Sequence, residues 1–71
     1  MNFTKDDALN CLHRLKIISI PFTLNELVKG MNVELEHSDI TGGDALLSCR
    51  IALAHLKENN KYYTILKKLN L

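Results

Sequence analysis

The segment from residue 44 to 59 constrains the fold more than any other. At 100° per residue, Leu46, Leu47, Cys49, Ile51, Ala52, Leu53, Ala54 and Leu56 spread around most of a helix, and only Arg50 and Lys57 mark a narrow solvent sector. A helix apolar on so many sides has to be wrapped by others. With 71 residues, 46% hydrophobic and 24% charged, the chain has room for one small core. The expected architecture is therefore an all-α single domain over residues 1–71, with three to four short helices packed around the central one. A chain of this length buries only about 60% of its unfolded surface, so tight helix packing, a metal or a partner chain is expected to support it.

Helix starts are written as a hydroxyl residue with an acid three positions on: Thr4 with Asp7, Thr23 with Glu26, and Thr41 with Asp44. The hydroxyl accepts from a free amide of the first turn, and the acid favours the positive end of the helix dipole. The first helix is predicted over residues 5–16, with Ala8, Cys11, Leu12 and Leu15 on one stripe. Residues 17–22 read as a connector, because Pro21 cannot sit inside a helix and biases Ile20 toward extended backbone. The second helix begins at Leu24 with a stripe of Leu24, Leu27, Val28, Met31 and Leu35. Gly30 interrupts it, marking a close approach by another backbone or a break; one continuous helix is the expectation. Residues 38–43 form a loop, and a last helix starts near Asn60, turning Tyr62, Ile65, Leu66 and Leu69 inward.

Nine Lys and Arg against eight Asp and Glu leave a formal charge of +1, which supplies no general pull toward nucleic acid or an acidic membrane. A helix-turn-helix DNA reader is further disfavoured by the acidic residues between 34 and 44. Cys11 and Cys49 could form one bridge at most; without a Cys-x-x-Cys pair, free, half-buried thiols in a reducing compartment are expected. The first residues lack a signal pattern, and apolar runs such as Ile51 to Ala54 reach only four residues. A cytoplasmic protein without membrane contact is the resulting expectation.

One constellation could carry chemistry. Glu34 and His37 stand three residues apart on the second helix, and His55 and Glu58 three apart on the third. Such pairs project from one side of a helix and could place two carboxylates and two imidazoles on one ion, as Glu-x-x-His pairs do in helical bundles. Zn, Fe or Mn would suit that ligand set. Helical phase turns His55 roughly 150° from the solvent sector and Glu58 about 90° from it. His37 lies nearer the polar face of its helix, so a site built from all four needs the helix end to unwind or the helix to roll. The plainer alternative is that Glu34 or Glu58 hydrogen-bonds His55, in a network that fixes packing without an ion. Unrelated surface charges are the third reading.

Tyr62 and Tyr63 follow Glu58 by one turn and could lend a phenol to the cluster, although at least one of them is expected in the core. Glu36 is expected in solvent, and Cys11 and His13 face different ways on their helix. No catalytic residue is assigned: Gly42 and Gly43 lack the setting of a phosphate loop, and neither Ser19 nor Ser48 sits in a nucleophile elbow. A small hydrolase or oxygen-handling enzyme would need an open metal position and a pocket. Residues 57–71 carry four Lys and one Glu, whereas residues 31–44 carry four acids and no Lys or Arg. That polarity suits head-to-tail or antiparallel self-association into a homo-oligomer, and solvated helix faces explain it as well; a protein partner is the other expected associate.

The words Gly30-Met31-Asn32-Val33-Glu34-Leu35-Glu36-His37 and Ile51-Ala52-Leu53-Ala54-His55-Leu56-Lys57-Glu58, followed by Tyr62-Tyr63 and Leu66, resemble domain of unknown function family 5661. These are short proteins of bacteria, phages and large DNA viruses. The resemblance runs from about Phe3 to Leu69. The family pattern has Gly where this chain has Ser38, and Pro-Asp where it has Asn60 and Lys61; those departures touch the turns after His37 and before Tyr62. The resemblance implies a compact helical domain with no established activity. It also brings a viral or mobile-element origin into view, with a role as a small binding factor or minor virion component.

Overall fold

The computed structural model describes residues 2–36 and 42–69. Among them the chain is all-α, with α1 (Lys5–Arg14), α2 (Leu24–Leu35), α3 (Ala45–Glu58) and α4 (Tyr62–Leu69). The Thr4–Asp7 box closes in both directions: Thr4 Oγ1 accepts from the Asp7 amide, and Asp7 Oδ2 accepts from the Thr4 amide at 2.8 Å. α1 ends two residues before the predicted point. The Ile17 amide donates back to the Leu12 carbonyl and the Lys16 amide to that of His13, with Lys16 at φ 59°. This is a Schellman stop with lysine where glycine is usual. Thr41 lies outside the described residues; Asp44 caps α3 by accepting from the Leu47 amide at 2.9 Å.

The core is small and each helix contributes by spacing. α1 gives Ala8, Cys11 and Leu12; α2 gives Leu27 and Met31; α3 gives Cys49, Ala52 and Leu56; α4 gives Tyr63. α3 is central as expected, although Leu47 on its outer side is 37% exposed. The phase of α4 differs from the expectation: Tyr63 is buried and Leu66 packs beside it, while Ile65 and Leu69 are exposed. The inward direction of α4 is set by where Tyr63 fits, which the amphipathic pattern of eight residues is too short to fix.

The cysteine expectation is overturned. Cys11 and Cys49 are both buried and form a disulfide between α1 and α3, with Cα atoms 6.6 Å apart. Thirty-eight residues separate them, so only helix packing brings them together. The predicted reducing setting loses its basis with the free thiols. No helix among the described residues is long and apolar enough to cross a membrane.

Candidate functional site

α4 lies along one line of α2. Glu26, Gly30 and Glu34 recur every four residues, so they stack on a single side of that helix. Each receives a different part of α4. At the near end, Glu26 accepts from the Thr64 amide at 2.9 Å and from the Thr64 hydroxyl at 2.8 Å. Thr64 is in the first turn of α4, where amides have no partner within the helix. Glu26 therefore caps α4 from a neighbouring helix, instead of closing the box with Thr23, whose hydroxyl still accepts from the Glu26 amide at 3.1 Å.

In the middle, the Tyr63 ring rests on the α2 backbone. A methyl group at Gly30 would stand 2.8 Å from Tyr63 Cδ2 and 2.9 Å from the Ala52 side chain. The close approach predicted at Gly30 is thus real, but side chains make it, not a backbone. α2 continues through it without a break. At the far end, the Tyr63 hydroxyl donates to Glu34 Oε2 at 2.8 Å. Glu34 and Tyr63 are 9% and 2% exposed, so this is a bond made inside the protein. Burial first, then the hydrogen bond to Glu34 and its charge, push the Tyr63 phenol far above its ordinary range. At neutral pH it is a hydrogen-bond donor and neither a base nor a nucleophile.

His55 joins the cluster from α3 through its ring. It stacks on Tyr62 with centroids 4.5 Å apart and 6° between planes, and meets the edge of Tyr63 at 6.1 Å. Tyr62 and Tyr63 pack edge to face at 4.9 Å. Of the four residues read as ligands, Glu34 and His55 thus converge on Tyr63 from two helices. Glu58 is exposed, and His37 lies outside the described residues. Among the described residues, no three His, Cys, Asp or Glu side chains stand together as an ion would require. Glu36 is exposed, as expected.

Three residues of this scaffold escaped the sequence. Glu26 was legible only as a local cap; ahead of α4, Asn59 accepts from the Lys61 amide at 2.9 Å, and the Thr64 amide one turn on is taken by Glu26. Asn32 accepts from the Phe3 amide at 2.7 Å and donates to the Phe3 carbonyl at 3.2 Å, holding the N-terminal segment against α2. Ser48 is buried with no hydrogen-bond partner for its hydroxyl among the described residues. A hollow of about 380 Å³ opens between α2 and α4 beside Tyr63 and Leu66, but Glu34, His55 and Glu58 do not line it.

A family model described as protein of unknown function (DUF5661) matches residues 2–71. No curated protein and no solved structure matches the chain.

Proposed function

The chain belongs to that family, and we propose that it is a small protein-interaction domain in which the acid and aromatic cluster is structural. The observation that carries this reading is the Glu34–Tyr63 bond. The buried acid is committed to an internal donor, so the carboxylate at the centre of the cluster is engaged in packing and not held free for chemistry. Glu26 is committed in the same way to Thr64. Apolar side chains go the other way: Ile18 is fully exposed, and Leu9 and Leu69 are 52% and 76% exposed. The proposed role is that of a binding factor or minor phage or virion component, engaging another protein or a second copy of itself. A photocrosslinking residue placed in turn over the surface, in the cell or particle that makes the protein, tests it. Adducts gathered on one face support an interaction domain; their absence at every position overturns it.

The bridge bears on where such a partner would be met. Disulfides persist where the medium is not reducing, which favours a virion or another oxidising setting over a host cytoplasm. Thiol labelling of the protein isolated under acid quench decides: full labelling at Cys11 and Cys49 would return the protein to the cytoplasm.

A second reading keeps Glu34, His37, His55 and Glu58 as ligands to Zn, Fe or Mn. The convergence of Glu34 and His55 on Tyr63 favours it. An ion there would have to take Glu34 from Tyr63 and join α2 to α3, adding stability that a small core lacks. Elemental analysis of the purified protein and melting with and without chelator test it; a metal-free protein with an unchanged midpoint removes the idea.

A further inference from the structure

α3 carries on its outward side a stripe built like a buried one. Arg50, Leu53, Ala54 and Lys57 occupy positions i, i+3, i+4 and i+7, the spacing of a single helix face. Yet Arg50, Ala54 and Lys57 are exposed and Leu53 is only partly buried. The connector between α1 and α2 runs beside this stripe, and together they border a groove of about 610 Å³, to which Ile20 and Phe22 add apolar wall. Among the described residues, no carboxylate lines the groove. Neither Arg50 nor Lys57 has an ion pair among the described residues. Next to it in the chain, Ile18 leaves its whole side chain in solvent.

Seven residues of helix span about 10 Å, so two free cations bracket an apolar strip of that length. A partner that answers both must present two acids about 10 Å apart on one side, with apolar groups between them. In a strand that distance is about three residues, which puts the two acids on opposite faces. A helix returns to the same face after seven residues, within about 20°. We infer that this groove docks an amphipathic helix from a different protein, with acids at i and i+7 and apolar residues at i+3 and i+4. The inference rests on the interaction reading above and names the class of partner. A second copy does not supply such a helix: of the eight Asp and Glu in the sequence, no two are seven residues apart. The docking is a helix laid in a groove, with anchors that exclude water and charge pairs at the rim that set partner choice.

The test is fluorescence anisotropy with a labelled helical peptide of about five turns, bearing Glu at i and i+7 and Leu at i+3 and i+4. A control peptide carries Lys at both acid positions. The acidic peptide should bind saturably, and the Arg50→Glu, Lys57→Glu double variant should weaken it about tenfold. The lysine peptide should bind that variant better than the wild type. Both substitutions are at exposed positions, and circular dichroism verifies that the variant keeps its fold. Failure of the acidic peptide to bind, or equal binding to wild type and variant, overturns the proposal. So does a homodimer in sedimentation that the same double variant disperses, because the occupant is then a second copy. If the peptide fails while photocrosslinks still gather on another face, the groove falls and the interaction reading stands; if both fail, both fall.

Discussion

Two residues, Gly30 and Tyr63, fix how α4 sits on α2, and each leads to a measurable outcome. With Tyr63 Cδ2 and the Ala52 side chain within 2.9 Å of an added methyl, Gly30→Ala gains helix propensity worth only about 1 kcal/mol. The displacement of a buried ring should outweigh that gain. The net expectation is a loss of about 1–2 kcal/mol, read from the midpoint of urea unfolding. Tyr63→Phe leaves Glu34 buried without its donor and should cost about 1–3 kcal/mol. The same pair sets an alkaline limit. The folded protein holds the phenol proton more tightly than the unfolded chain does, where the phenol titrates near its ordinary value of about 10. The pair's contribution is complete below that pH and is lost as pH rises above it. Wild-type stability should therefore fall more steeply in alkali than that of Tyr63→Phe, and a parallel decline of the two would contradict this assignment.

At the scale of the elements, legibility followed sequence distance. The Thr4–Asp7 box, the central placement of α3 and the connector at Pro21 depend on neighbours within one or two turns, and their residues announce them. The cap on α4 does not, because Glu26 and Thr64 are 38 positions apart. Nor does the tie from Glu34 to Tyr63, 29 positions apart: both exist only after α4 docks. The wheel for α3 pointed His55 inward, and it is half-buried under Tyr62 as a stacked ring; helical phase gives a direction but not the neighbour. α4 has eight residues, fewer than an isolated helix needs to persist in water. Its integrity therefore depends on the cap that α2 provides. Glu26→Ala should cost about 1 kcal/mol, and its signature in amide exchange should be local. Protection should drop first across residues 62–69 while α1 and α3 retain theirs; a uniform drop would assign Glu26 to the general core.

For the molecule as a whole, the Cys11–Cys49 bridge supplies what the seven other buried apolar residues among those described do not. Closing a loop over a separation of 38 stabilises the fold by about 4 kcal/mol in the chain-entropy account. A domain of this size has a total stability of roughly 4–10 kcal/mol. Reduction, or the Cys11→Ser, Cys49→Ser double variant, should remove about that amount, measured as the shift in unfolding midpoint with and without reductant. The composition rule that assigns two unmotivated cysteines to free thiols failed because pairing is decided by the packing of α1 on α3, which no spacing between the two cysteines encodes. The bridge also joins residue 11 to residue 49 by a second covalent route, so α2 lies inside a closed ring. A protease that nicks the chain anywhere between those positions would release nothing: the tethered pair gains only the mass of the water taken up in the cut, and the two fragments separate only when the sample is reduced.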